Sequence, residues 1–296
     1  LNNSSLEMNN KNISTNNQAK TPIFALEILT KIKENFPKPI SDYWGEGVIL
    51  NTVEWFKMAQ GKALNSGAKY VSVYFNIDED SEIDTCLKLF SEIQSLSKVP
   101  LIIRGSGQKT LDEKLIPALV QQISKPAIVA FAQDSNYTAI VNSILNSNYR
   151  DEIRLVLRAP IDINLTKELN VLCMDLGMKP QNIIMDTDTG CVGMGLDYGY
   201  SIIERLCIAR AEGDKVLNSP VIVFSGEESF KSKESKSDDF KDTRGSLQVR
   251  AYSIEISTTM ALLLAGADIA VVQNPKTVDT ILSLYSAASV EGVCLR

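Results

Sequence analysis

Eight short, almost uninterrupted apolar runs constrain this chain more than any other feature: Ile23–Ile28, Tyr70–Phe75, Pro100–Arg104, Ala127–Phe131, Ile153–Leu157, Asn182–Asp186, Pro220–Phe224 and Asp268–Val272. A strand with one wet face alternates apolar and polar residues, whereas a continuous run suits a strand covered on both faces of a parallel sheet. Helical patterns lie between the runs, among them Thr52–Asn65, Ile83–Leu96 and Lys167–Leu176. Gly177 follows the last of these as a C′ glycine. Eight strand–helix alternations predict an α/β chain closed into a (β/α)8 TIM barrel, one domain over residues 21–296. An open, doubly wound sheet is the competing arrangement.

Residues 1–20 are rich in Asn and Ser and lack an apolar stretch, so a disordered polar tail is expected there and no signal peptide. A net charge of −6 argues against broad contact with a nucleic-acid backbone. No apolar run approaches the roughly 18 residues of a membrane span. The expectation is a cytoplasmic protein with neither nucleic acid nor membrane as partner.

Histidine is absent from all 296 residues. That excludes a Ser-His-Asp triad, a His-ligated zinc, an imidazole base and a histidine ligand to cobalt from this chain. The cysteines, Cys86, Cys173, Cys191, Cys207 and Cys294, show no C-x-x-C spacing, so an iron–sulfur cluster or zinc held by this chain alone is not expected. Cys173 and Cys207 fit helical packing positions. Cys191 falls in a glycine-rich loop and is the one cysteine near candidate chemistry.

In a barrel, function collects at the carboxyl ends of the strands. Those ends supply Glu27, Arg104-Gly105-Ser106-Gly107, Gln133 to Tyr137, Arg158 to Asn164, Asp186 to Gly195, Ser225-Gly226-Glu227-Glu228 and Gln273-Asn274-Pro275. From this polar ring the candidate cofactor-binding residues are Gly105, Ser106, Gly107, Asn136, Asp162, Asn164, Asp186, Thr187, Thr189, Gly190, Gly193, Gly195 and Glu227. Such a set suits a large ligand bearing amides, or a pterin. No nucleophile–base pair and no metal-ligand cluster is visible, so no catalytic or metal-binding residue is assigned. Simpler roles compete at several positions. Asp162 or Asn164 can cap the following helix, Asp186 can orient its own loop, and Glu227 and Glu228 can sit at a helix start. Gly105-Ser106-Gly107 is a weak phosphate cradle, because short Gly-Ser turns are common. Ser225 to Gly245, polar and without apolar periodicity beyond Phe230, precedes a long helix at Leu247–Ala265. It is expected to cover the working face, meet a partner, or stay solvated.

Several strings resemble one family. Ala159-Pro160-Ile161-Asp162-Ile163-Asn164-Leu165 with Lys167-Glu168-Leu169-Asn170 is similar to the small, or delta, subunit of the corrinoid iron–sulfur protein of the acetyl-CoA decarbonylase/synthase system. Ile184-Met185-Asp186 with Thr189-Gly190, then Gly193-Met194-Gly195-Leu196-Asp197-Tyr198, Gly226-Glu227-Glu228 and Leu262 to Ile269 follow in the same order. The resemblance covers residues 22–285. It implies a TIM barrel paired as a heterodimer with a large corrinoid iron–sulfur subunit, a cobamide held between the chains, and no Fe–S cluster in this one. It further implies a methyl group received from a methyltetrahydropterin methyltransferase and passed to CO dehydrogenase/acetyl-CoA synthase, this chain capping the corrinoid without catalysing a step itself. A pterin-binding methyltransferase barrel and a scaffold barrel without corrinoid are the alternatives.

Overall fold

The computed structural model describes residues 21–290, and the tail expected at residues 1–20 lies outside them. Eight parallel strands form the sheet: β1 (Ile23–Leu29), β2 (Tyr70–Tyr74), β3 (Leu101–Arg104), β4 (Ala127–Ala132), β5 (Ile153–Arg158), β6 (Ile183–Asp186), β7 (Ile222–Val223) and β8 (Ile269–Val272). Their order is β6-β5-β4-β3-β2-β1-β8-β7. One parallel bridge, Met185 to Val221, joins β6 to the approach of β7 and brings the sheet to near closure. The expected (β/α)8 TIM barrel is therefore the fold.

After β1 the chain makes α1 (Lys38–Trp44), α2 (Glu46–Ile49) and α3 (Thr52–Ser66). The following strands are each succeeded by a helix: α4 (Ile83–Leu96), α5 (Lys109–Gln121), α6 (Tyr137–Leu145), α7 (Ile163–Asp175) and α8 (Leu196–Ala211). The short α9 (Ser225–Ser229) opens the polar insertion, which ends at α10 (Leu247–Ala265), and α11 (Pro275–Val290) follows β8. None of these helices, among the described residues, is long and apolar enough to cross a membrane.

Two apolar layers account for the buried runs. The outward faces of the strands pack under the helices, with Phe24, Leu26, Val71, Leu155 and Val223 among the contributors. The inward faces form a separate interior cluster that includes Ala25, Ile102, Ile128, Val156, Ile184, Ile222 and Val271. Side chains of a strand alternate between faces, so the next inward positions toward the carboxyl ends are Glu27, Arg104, Arg158, Asp186 and Gln273. The barrel thus changes from hydrocarbon to charge one layer below its mouth. A register shift between Ala130 and Ala132 in β4 brings Phe131 into the interior as well.

Candidate functional site

The mouth is filled by the chain's own ion pairs. Arg104 is 2% exposed and donates from Nη1 to Glu27 Oε1 at 2.8 Å, while its Nη2 bonds Glu227. Ser72, the register partner of Glu27, also donates to Glu27 Oε1. Tyr74 is the register partner of Arg104, and the guanidinium carbon lies 3.8 Å from its ring centroid. Arg158 and Asp186 are likewise register partners on β5 and β6, joined at 2.6 Å. The Arg158 guanidinium stacks 3.4 Å from the centroid of Phe131, which meets Phe224 edge-on. Two planar cations therefore lie against aromatic rings in the place where a planar ligand would enter a barrel.

Electrostatics follow from this arrangement. Burial pushes the Glu227 carboxyl up, but Arg104 and Lys231 outweigh it and bring it down to about 2. Burial dominates at Asp186, whose pKa is raised despite the opposing charge of Arg158. At Tyr74 burial likewise prevails and lifts the phenol to about 12. Four buried polar atoms at this level lack a hydrogen-bond partner: Glu27 Oε2, Arg104 Nε, Thr187 Oγ1 and Gln273 Oε1. Gln273 itself is held by a buried carboxylate. Glu255, on α10, accepts from the N–H of Gln273 at 2.7 Å and of Asn274 at 3.3 Å, and from Thr277 Oγ1 at 2.5 Å.

The loop after β6 forms the outer rim. Asp186 Oδ1 accepts from Asp188 N, and Asp188 stands at φ 52°. Gly190 is required by close approach, since a Cβ there would come within 2.7 Å of the Gly195 carbonyl carbon. Gly195, at φ 104°, precedes α8 as its N-cap. Those constraints fold the loop back on itself and leave Val192, Met194 and Tyr198 exposed. Cys191 is buried beneath them, and burial raises its thiol pKa. Thr189 is buried, and Gly193 takes the left-handed conformation at the loop tip.

The remaining candidates are spread around the ring in mostly structural roles. The Gly105-Ser106-Gly107 turn cradles an anion, and that anion is the carboxylate of Asp112, which accepts from Ser106 N at 2.6 Å and Gly107 N at 2.8 Å. Asn136 is buried and accepts from Gln133 N at 2.8 Å. Asp162 caps α7, accepting from Asn164 N and Leu165 N, while the Asn164 side chain is exposed. Asp186, Thr187 and Glu227 do reach the mouth. Of the residues that organise it, Arg104 and Arg158 stood in the ring of strand ends but not among the candidate cofactor-binding residues, and Tyr74, Phe131 and Glu255 were not singled out. Strand parity offered a signal, because Arg104 and Arg158 stand two residues beyond the interior positions Ile102 and Val156.

One rim residue is strained. Ile161 has φ 48°, a conformation costly for a β-branched side chain, and its N–H donates to Thr187 O at 2.7 Å. The side chain is 48% exposed, so packing returns little of that cost. Left-handed backbone costs an L-residue roughly 1–2 kcal/mol, partly offset by the greater chain entropy of glycine. Ile161→Gly is accordingly expected to raise the urea midpoint, by an amount worth roughly 0.5–1 kcal/mol. A lowered midpoint would show that the side chain packs more than its exposure indicates.

Comparison with known proteins adds the following. A family model described as CO dehydrogenase/acetyl-CoA synthase delta subunit matches residues 17–275. Acetyl-CoA decarbonylase/synthase complex subunit delta of Methanopyrus kandleri is 24% identical over 207 residues, covering 68% of this chain and 50% of that protein. The protein of the same name from Archaeoglobus fulgidus is 26% identical over 282 residues, covering 91% of this chain and 60% of the relative. The chain thus spans about half to two thirds of the curated relatives it matches. Among solved structures, a dihydropteroate synthetase with its product superposes at a TM-score of 0.60 with 11% identity, over 91% of this chain and 94% of that one. Dihydropteroate synthase of Xanthomonas albilineans, in complex with 7,8-dihydropteroate, gives a TM-score of 0.58 with 14% identity, covering 92% and 95%. At such identity these structures share the fold alone.

Proposed function

The chain belongs to the CO dehydrogenase/acetyl-CoA synthase delta subunit family, and on that premise we propose that its barrel mouth is a non-catalytic cap for a cobamide held jointly with a large corrinoid iron–sulfur subunit. The observation that carries this reading is the mouth itself: Arg104 and Arg158, tied to Glu27, Glu227 and Asp186, fill the barrel end from within. A mouth so filled offers a surface to a ligand rather than a deep slot. Above it, Ile161, Val192, Met194 and Tyr198 expose apolar area at the ends of β5 and β6. Apolar rim and polar floor fit a corrinoid, a broad macrocycle with an apolar face and amide-bearing side chains.

When bound, the corrinoid supplies the cobalt that accepts and gives up a methyl group. This chain's part is to orient and to exclude water. Val192, Met194 and Tyr198 would lie against the macrocycle and keep solvent from its face. Thr187, fully buried and with no partner for its Oγ1, sits below that rim. Without histidine, the chain brings no imidazole to cobalt. In this reading the methyl group comes from a methyltetrahydropterin methyltransferase, goes to CO dehydrogenase/acetyl-CoA synthase, and the heterodimer works in the cytoplasm.

Co-expression with a cysteine-rich large subunit should yield a single species on a sizing column carrying cobamide absorbance. Separate elution of the two chains, with all absorbance on the large one, would reject the cap. A pterin-binding methyltransferase barrel makes the opposite forecast for the chain alone. Calorimetry with methyltetrahydrofolate is expected to be silent, since the stacked guanidiniums already occupy the aromatic faces of the mouth.

A further inference from the structure

A second feature of the carboxyl face lies beside the mouth, against the polar insertion. A cleft of about 310 Å³ opens between the segment after β1, the end of β2, the polar insertion after β7 and the end of β8. Its walls are apolar and aromatic, with Phe36, Tyr74 and Phe230 among them, and three cations, Lys33, Lys231 and Lys236, face its opening. Glu227, tied to Arg104, is the one carboxylate among the lining residues, and two acids outside the lining reach its lysines, Asp78 at Lys33 and Glu228 at Lys231. Exposed pairs of this kind are weak and leave both lysines able to meet a second anion, and Lys236 has no carboxylate partner among the described residues. Gln273 lines the floor at 5% exposure, and its Oε1 has no hydrogen-bond partner. An unmet buried acceptor is costly, so a donor delivered to it is favoured.

The cationic side of the cleft is built, not incidental. Arg250, 9% exposed, donates to Glu234 O at 3.2 Å, to Ser237 O at 2.6 Å and to Gly245 O. These carbonyls bracket Lys236. The buried hydroxyls of Ser229, Ser232 and Ser235 bond to backbone carbonyls of the same segment. A polar insertion pinned in this way holds Lys231 and Lys236 at fixed positions over the opening.

We propose that this cleft binds a small anion, a phosphate or carboxylate that also bears a hydroxyl or N–H donor, with the anionic group among Lys33, Lys231 and Lys236 and the donor on Gln273 Oε1. The site is independent of the corrinoid cap, because of the candidate cofactor residues only Glu227 lines it.

The test titrates the purified chain by NMR with glycerol 3-phosphate, with dimethyl phosphate, and with glycerol as the uncharged control. Saturable shifts are expected for glycerol 3-phosphate and none for glycerol. Lys236→Glu is expected to weaken binding roughly tenfold, and because Lys236 is exposed, folding is not at stake. Gln273→Met keeps the volume and removes the acceptor, and is expected to abolish the preference for glycerol 3-phosphate over dimethyl phosphate. Equal binding of dimethyl phosphate, which carries no donor, by the unaltered chain would overturn the role given to Gln273 Oε1, and preference for glycerol 3-phosphate supports it. Absence of saturable binding by either phosphate, or binding indifferent to both substitutions, overturns the proposal. A chain that fails to join the large subunit yet binds glycerol 3-phosphate would reject the cap and leave this site standing.

Discussion

Arg104→Met is expected to destabilise the barrel by about 3–5 kcal/mol, the usual consequence of leaving a buried charge without its partner. Glu27, at 1% exposure, would keep only the hydroxyl of Ser72 against its carboxylate. Glu227 would lose the guanidinium that brings it down to about 2. Burial, which pushes the Glu227 carboxyl up, would then be opposed by Lys231 and Arg158 without Arg104, and part of the stability that its lowered pKa contributes would be lost. A carboxyl with a lowered folded pKa stabilises above its unfolded pKa, so the deficit of the variant should be full near neutrality and shrink as pH falls from 4.5 toward about 2. Urea denaturation of the parent and the variant at about pH 7 and at about pH 3 measures this. The triple replacement Arg104→Met, Glu27→Gln, Glu227→Gln should recover much of the loss, because matched removal of a buried ion network is far less costly than breaking it. A single-variant cost below about 1 kcal/mol would mean that water reaches Glu27.

Glu255→Gln is expected to act in the opposite direction. Glu255 is fully buried, and its partners are neutral donors: Gln273 N and Asn274 N from the β8 end, and Thr277 Oγ1 from α11. Burial raises its pKa from 4.5 to about 7, the three hydrogen bonds opposing only in part. A carboxyl with a raised folded pKa contributes stability that is full below the unfolded value and is lost as pH climbs to the folded one. Each pH unit across that window corresponds to roughly 1.4 kcal/mol. The parent should thus be roughly 3 kcal/mol less stable at pH 8 than its protonated form would be. Glutamine mimics that form: its carbonyl can accept from Gln273 and Asn274 while its amide donates to Thr277. Thermal unfolding should show the variant well above the parent at pH 8 and near it at pH 4.5. Equal pH profiles for the two proteins would remove Glu255 as the source of the slope.

The strands were legible because burial on both faces writes itself into sequence as unbroken apolar runs. Expected Ile153–Leu157 became Ile153–Arg158, and Ile83–Leu96 and Leu247–Ala265 were found with the same limits. Boundaries failed where something other than hydrophobicity sets them. α7 begins at Ile163, four residues before the Lys167 at which its apolar pattern starts, and Asp162, one of the two expected caps, sets that start. β7 keeps only Ile222–Val223 of the expected Pro220–Phe224, since its neighbour on the β6 side pairs by one bridge. The site was legible in its ring of strand ends but not in its wiring. Arg104 is 77 residues from Glu27 and 123 from Glu227, so only barrel closure brings the three together. The glycine turn at Gly105 pointed to an anion correctly in kind, but the nearest anion in sequence, Asp112, answers it first. The polar insertion gave no sign of rigidity, because the Arg250 bonds that fix it go to carbonyl groups, which every residue carries.

The single bridge between Met185 and Val221 has a further consequence. Every other seam of the barrel is stitched by a ladder of two or more register pairs. Local opening follows the line of fewest cross-strand bonds, so the cylinder behaves as a split ring, with its gap between the β6 loop and the polar insertion. The β6 loop with Met194 belongs to one side of that seam and the polar insertion with Lys231 to the other, so local opening is expected to part the rim here first.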